Sequence, residues 1–243
     1  MKQTKDEGRR MKDEKGSGTS VFIPHPSSFI LFCIVFLTGC ASEPFKRPPL
    51  PVLDHPNARK VQAEYLHKLA NKFTTDDTVI ISAPFHDDIA VLGVLKIDRA
   101  AGTFEMAGLN QMGLELFQIG GDKSGVIIRS AVPPLMEQKQ VLLSIGEDVK
   151  RMYFDLAPSK ESDFEVESKL VTYRDGDVIY EFGGDPAVLL EKRVNGFFGA
   201  KWRVRYYDYA ESAGSLYPRG IVMDNGHYHY RIVVKNRAWQ SDQ

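Results

Sequence analysis

Apolar residues recur along this chain with two different periods. Ala58, Val61, Tyr65, Leu69 and Phe73 follow at steps of three and four, which is one stripe of an amphipathic helix, and Pro56 suits a first helical turn. The spacing predicts a helix over Pro56–Phe73. Thr78–Phe85, Ile89–Ile97, Gly102–Leu109, Gly113–Ile119 and Ser124–Ala131 are short apolar runs broken by Asp, Gly and Pro, the pattern of antiparallel strands. Pro133-Pro134 stops that series, and Leu142, Ile145, Val149 and Met152 then share a helical face. A second helix is expected within Leu135–Met152, weakened by Gly146.

The C-terminal half returns to strands. Leu170–Arg174 and Val178–Phe182 flank Asp175-Gly176, while Gly220–Asp224 and Tyr228–Val234 flank Asn225-Gly226, and both dipeptides favour tight type I′ hairpins because they tolerate positive φ. Ala187–Val194 fits a helix begun at Asp185-Pro186 or a strand. Trp202, Val204 and Tyr206 alternate with Arg203 and Arg205, and Tyr228, Tyr230, Ile232 and Val234 alternate with His229, Arg231 and Lys235. These strands have one dry and one wet face. Ile89–Val94 is apolar on both faces, which suggests a sheet curled around an apolar interior with helices packed against it. The fold class expected is mainly β, in one domain over residues 56–243.

What precedes that domain is not domain-like. Phe29–Leu37 is an unbroken apolar run of nine residues, far short of the ~20 that span a bilayer as a helix. It follows a charged leader and ends in Leu37-Thr38-Gly39-Cys40, which resembles the bacterial lipoprotein signal. That resemblance implies a signal peptide over residues 1–39, started at Met1 or Met11, and a mature chain beginning at Cys40 with an acylated, palmitate-type thiol. Ala41, rather than aspartate, follows the cysteine, and the resemblance then implies sorting to the outer membrane, facing the periplasm. Residues 40–55 carry Pro44, Pro48, Pro49 and Pro51 without apolar periodicity and read as an extended tether, able to reach ~40 Å at ~3.1 Å per residue.

Removing six basic and four acidic leader residues from the 31 and 32 of the whole chain leaves 25 basic and 28 acidic. A formal charge near −3 gives no nucleic-acid footprint and no polybasic membrane patch. The two cysteines, Cys33 and Cys40, fall in the signal and at the lipidation site, so the mature chain has no disulfide and no thiolate metal site.

Candidate chemistry is sparse. His227-x-His229 puts two imidazoles on one strand face but lacks a third ligand, and a solvated hairpin face is the plainer reading. His86-Asp87-Asp88 lies between two strands, where Asp is a normal turn former. Gly120-Gly121 and Gly183-Gly184 have no phosphate-loop lysine, and Gly121–Gly125 lacks the spacing of a nucleophile elbow. Neither a catalytic signature nor a cofactor motif emerges. What remains is an aromatic and methionine set, Phe85, Phe104, Met106, Met112, Phe117, Tyr206, Tyr228 and Tyr230, suited to a core or to an adaptable apolar cavity.

The order of signal, lipidated cysteine, tether, helix and antiparallel strands with a helical insertion resembles the LolA/LolB-like lipoprotein carriers. Within them it looks most like a lipoprotein family that accompanies aryl-polyene and other lipid-like biosynthesis genes. Ala107–Phe117, Trp202–Tyr206, Tyr217–Ile221 and Tyr230–Ile232 carry the likeness. It implies an incompletely closed antiparallel β half-barrel with a helical lid. Leu95, Phe104, Met106, Leu114, Trp202, Tyr206, Tyr228 and Tyr230 would line a cavity for an acyl or polyene-like chain. It also implies a non-enzymatic role at the outer membrane, with a periplasmic carrier protein as a partner. Two alternatives stand beside it: a small cofactor-free enzyme on the same fold, and a structural lipoprotein whose barrel is filled by its own side chains. The anchored carrier bears a protruding leucine on an exposed loop, whereas the comparable turn here, Asp98–Gly102, carries no large apolar residue.

Overall fold

The computed structural model describes residues 44–47, 50–51, 57–84, 87–197 and 199–241. The leader, Cys40 with its lipidation, most of the tether, Pro56, Phe85 and His86 lie outside the described residues. Pro44–Gln243 forms one compact unit that holds every strand pairing and both apolar clusters.

Helix α1 spans Ala58–His67 and begins at Asn57, whose side chain accepts from the backbone N–H of Lys60 at 3.2 Å. Such a cap contributes about 1 kcal/mol. The helix stops short of the expected Phe73, which lies instead in strand β1, Lys72–Ser82, opposite Ile97 and Ser241. Thr74, Thr75 and Thr78 are stiff at χ1 and favour extended backbone, and two neighbouring strands satisfy it. Phe73 therefore keeps its place in the core, but on a strand.

The order continues as β2 Ile89–Asp98, β3 Thr103–Leu109, β4 Glu115–Asp122, β5 Gly125–Ala131, α2 Pro133–Met136, α3 Lys139–Tyr153, β6 Asp163–Val166, β7 Leu170–Asp175, β8 Val178–Gly183, β9 Val188–Gly196, β10 Gly199–Ser212, β11 Ser215–Asn225 and β12 Tyr230–Ser241. Val188–Gly196 is thus a strand, which settles the ambiguous segment. All twelve strands join one antiparallel sheet in the order β5-β4-β3-β2-β1-β12-β11-β10-β9-β8-β7-β6, with β5 and β6 as its two edges. It is an incompletely closed half-barrel.

Alternation sets its two faces. Val79, Leu95, Met106, Ile119, Val171, Val204, Met223 and Ile232 point inward into one continuous cluster. The outer face of β2 is less covered than its sequence suggests: Leu92 and Val94 are half-buried and Ala90 is exposed. On the outer face of β8–β12 charge is tied up in ion pairs, Arg193 to Glu181 at 2.6 Å and Glu191 at 2.7 Å, Arg203 to Glu191 at 3.3 Å, and Arg231 to Asp224 at 2.6 Å.

Part of the proline-rich segment belongs to this outer face. Phe45 packs with Tyr207, Val222, Val233 and Ile80, its ring 5.2 Å from that of Tyr207. A Cβ on Gly220 would stand 2.7 Å from the Phe45 ring, so the glycine opens the seat. Arg47 lies 5.5 Å over the Tyr207 ring and 3.4 Å from Glu191. At Phe45 and Arg47 the tether is thus docked rather than free.

Helix α3 lies in the connection between the two edge strands and touches β4, β5 and β11. Leu142, Ile145, Val149 and Met152 face inward, each contributing about 1.5–3 kcal/mol by burial. Gly146 is where the helix meets β5: a Cβ there would come 2.4 Å from a methyl of Val126. Gly146→Ala is expected to lower stability by about 1–2 kcal/mol although alanine is the better helix former, because a β-branched neighbour cannot swing away. Denaturant unfolding of Gly146→Ala with and without Val126→Ala checks this, the double variant recovering most of the loss.

A lidded interior and an open cleft

Beneath α3 the interior is nearly full. One void of about 20 Å³ lies among Val79, Leu95, Met106, Phe117, Ile145 and Val149, and another of about 20 Å³ among Tyr65, Phe73, Arg99, Tyr206, Ile221 and Trp239. Met152 and Tyr153 of α3 line both. Each void is no larger than about one water.

Polar groups are built into this apolar space. Arg99, on the turn between β2 and β3, donates Nη1–H to the Ala70 carbonyl at 2.6 Å and Nε–H to the Tyr153 carbonyl at 2.9 Å, with its guanidinium 4.9 Å over the Phe73 ring. The Tyr206 hydroxyl donates to the Met152 carbonyl at 2.9 Å, and that of Tyr209 to the Leu189 carbonyl at 2.8 Å. Burial pushes the Tyr65 hydroxyl up to about 12 and those of Tyr206 and Tyr209 well above the ordinary tyrosine value, so all three remain protonated.

Asp77 sits at the wall of the first void, accepting from the Thr75 hydroxyl at 2.6 Å and the Asn236 amide at 3.1 Å. Burial raises its pKa to about 6, against a partial lowering by those two hydrogen bonds. The folded state therefore binds the proton more tightly than the unfolded chain, and the stability this provides below about pH 4 is lost as pH rises towards 7. The loss is about 2–3 kcal/mol. Asp77→Asn is expected to melt higher than the parent at pH 7.5 and level with it at pH 4, as followed by circular dichroism across that range.

Beside α3, rather than beneath it, lies an open cleft in two chambers. The larger, about 1010 Å³, runs between Leu143, Ser144 and Glu147 of the helix and the loops joining β9 to β10 and β11 to β12. The smaller, about 640 Å³, lies between the end of α3 and strands β7–β10. Glu147, Arg151 and Trp202 line both, with the Arg151 guanidinium 5.9 Å over the Trp202 indole.

A buried network joins the lid to the sheet beside the larger chamber. Asp148 is fully buried and accepts from Arg151 at 2.5 Å, from the Asn225 amide at 3.1 and 3.2 Å, and from the Tyr230 hydroxyl. Ser144 and Tyr230 share a hydrogen bond of 2.8 Å.

Twelve antiparallel strands left open at two edges, with a helix from the edge-to-edge connection over the concave side, match a known architecture. A LolA-superfamily protein from Nitrosomonas europaea aligns over 77% of this chain and 94% of its own, with a TM-score of 0.51 and 8% identity. The fold is LolA-like. An outer-membrane lipoprotein-sorting protein domain from Vibrio parahaemolyticus aligns over 77% of this chain and 94% of its own (TM-score 0.46, 10% identity), and a DUF1329 family protein from Desulfovibrio piger over 76% and 92% (TM-score 0.46, 10% identity). No family model matches the chain, and no curated protein matches it in sequence.

The residues expected to line a cavity scatter across this LolA-like half-barrel. Leu95, Phe104, Met106 and Tyr206 are buried in the interior cluster, and Trp202 and Tyr230 are half-buried against it. Leu114 is 61% exposed and does not face inward. The Asn110 side chain accepts from the backbone N–H groups of Met112 and Leu114, both at 2.9 Å, so the turn runs on to Leu114 and β4 starts only at Glu115. Met112, 80% exposed, shares that turn, so the exposed apolar loop lies between β3 and β4 rather than at Asp98–Gly102. Tyr228 is 53% exposed and precedes β12. Asn225 pairs directly with Tyr230, and its side-chain oxygen accepts from the backbone of His227 and Tyr228, which makes a four-residue loop in place of the tight two-residue turn. His227 and His229 lie on that loop at the larger chamber.

Sequence reasoning passed over Arg99, Asp148, Arg151 and Lys192. Ser144, Asp148 and Arg151 did carry a signal, a polar stripe at helical spacing beside the apolar one.

Proposed function

We propose that this chain is a non-enzymatic carrier, anchored through Cys40 at the periplasmic face of the outer membrane, that takes an acyl or polyene-like chain beneath or beside α3 and passes it on. The supporting observation is the state of the interior. The concave side of an open sheet is filled by four apolar side chains of one helix, and two small voids remain where Met152 and Tyr153 enter. Displacing α3 would bare an apolar trough, and burying a C16 chain there would contribute on the order of 12 kcal/mol before the cost of association. Met112 and Leu114 give the β3–β4 turn an apolar tip for contact with a membrane or an incoming ligand.

The same filling favours a second reading, a structural lipoprotein whose core admits nothing. A lock on the lid separates the two. The Cβ of residue 146 would stand 3.2 Å from that of Val126, close to disulfide geometry, so Gly146→Cys with Val126→Cys pins α3 to β5. Native mass spectrometry of residues 44–243 with added palmitate should show binding when the pair is reduced, and exclusion when it is oxidised would place the chain beneath α3. Equal binding in both states would move the ligand from the interior to the open cleft, and binding in neither would sink the carrier reading.

A further inference from the structure

Lys192 is 2% exposed, on the inward face of β9, and it lines the smaller chamber. Its ammonium donates to the carbonyls of Phe154 at 2.7 Å and Asp155 at 3.3 Å, the exit of α3. Those two acceptors use two of its three N–H groups, and neither is a carboxylate. Burial pulls its pKa down to about 7, only partly offset by the nearby Asp155 carboxylate, which makes no hydrogen bond to the ammonium through its side chain. At the boundary with the larger chamber stands Arg151, its Nη1 paired with Asp148 at 2.5 Å and its guanidinium held over Trp202, with further N–H groups left for a second acceptor.

The acids on the same wall are engaged elsewhere or stand at the rim. Glu147 pairs with Lys150 at 3.3 Å, Asp175 accepts from the backbone N–H of Ser159 at 2.6 Å and from its hydroxyl at 3.2 Å, and Asp155 is exposed. On its other side, Trp202 opens onto the larger chamber, where Val126, Leu143 and Val194 offer apolar contacts beside α3 among polar neighbours such as Gln140, Lys201 and His227.

We infer that the smaller chamber receives an anionic head group, carboxylate or phosphate, on Lys192 and Arg151, with the attached apolar chain passing Trp202 along α3. The inference rests on the carrier reading and narrows its ligand to an anionic amphiphile. An anion there completes the hydrogen bonding of Lys192, and its placement beside a cation held on an indole orients the chain towards the apolar flank. A neutral head group gains neither.

The test compares dodecyl phosphate with dodecanol, both below their aggregation limits, by calorimetry on residues 44–243. The parent is expected to bind the phosphate at least tenfold more tightly. Lys192→Met should reduce that preference to within about twofold while leaving dodecanol affinity in place. A merely structural lysine would weaken both ligands alike, which would overturn the inference and spare the carrier reading. Equal affinity of the parent for both would do the same, whereas no binding of either would overturn both.

Because Lys192 also supports the exit of α3, a second measurement uses the unaltered chain. Reductive methylation mapped by mass spectrometry should spare Lys192 when dodecyl phosphate is present, but not with dodecanol. Protection by inorganic phosphate alone would assign the chamber to a free anion, and unchanged labelling under dodecyl phosphate would overturn the inference.

Discussion

Asp148→Ala is expected to destabilise the protein by about 4 kcal/mol, more than any other single truncation on the lid. The carboxylate is fully buried and gathers the Arg151 guanidinium, the Asn225 amide and the Tyr230 hydroxyl at one point. Removing it leaves the amide and the hydroxyl buried without their acceptor, each costing about 1–3 kcal/mol, and a small cavity adds to the loss. Arg151, about one-third exposed, can turn to water, so its share is the smallest. For a unit of this size the change corresponds to a fall in Tm of roughly 10 °C. Urea unfolding with the m-value monitored measures it. Tyr230→Phe, which keeps the ring and removes one donor, should lose about 1 kcal/mol. A loss below 1 kcal/mol for Asp148→Ala would mean that α3 is held by its apolar face alone.

That network shows where the sequence was legible and where it was not. Apolar periodicity identified the face of α3 and ten of the twelve strands in outline, because alternation and helical spacing are local properties that burial on one side imposes. Boundaries were lost where a local stripe met a long-range partner: Phe73 fits a helix by spacing, yet β12 and β2 claim it on opposite sides. The hairpin at Asn225 was read as two residues because the dipeptide favours that turn, but the Asn225 side chain prefers to gather the backbone of its own loop. At Asp175 the turn is a tight one, with Asp175 opposite Val178 and Gly176 at φ 57°. Buried charge was the least legible feature. Nothing local separates Arg99 or Lys192 from surface residues, since their partners are backbone carbonyls at least 29 positions away, and Asp148 shows only its place in the polar stripe with Arg151, its other partners being 77 or more positions away. The docking of Phe45 on Tyr207 and Gly220 was hidden for the same reason, in a segment whose prolines suggested only extension.

Arg99→Leu should loosen both helices together, with a loss of about 3–4 kcal/mol. From one turn between β2 and β3 the guanidinium reaches the carbonyl of Ala70, just beyond α1, and the carbonyl of Tyr153, the last residue of α3. Hydrogen bonds from a charged donor contribute about 1.5–3 kcal/mol each, and a cation at the end of α3 also complements its dipole. Leucine fills much of the volume but donates to neither carbonyl, so packing and clamping are separated. Arg99→Lys should fall between the two, because an ammonium lacks the planar fork that serves two acceptors at once. Amide hydrogen exchange is the decisive reading. The last turn of α3 and the segment around Ala70 should exchange faster in Arg99→Leu by the same factor, while the β10–β11 pairing remains protected. If only global stability falls and these two segments keep their protection relative to the sheet, Arg99 is a packing residue and the lid is closed by Asp148 instead. If both loosen, the trough beneath α3 becomes accessible at lower cost, and an apolar dye should bind the variant more strongly than the parent under conditions where both remain folded.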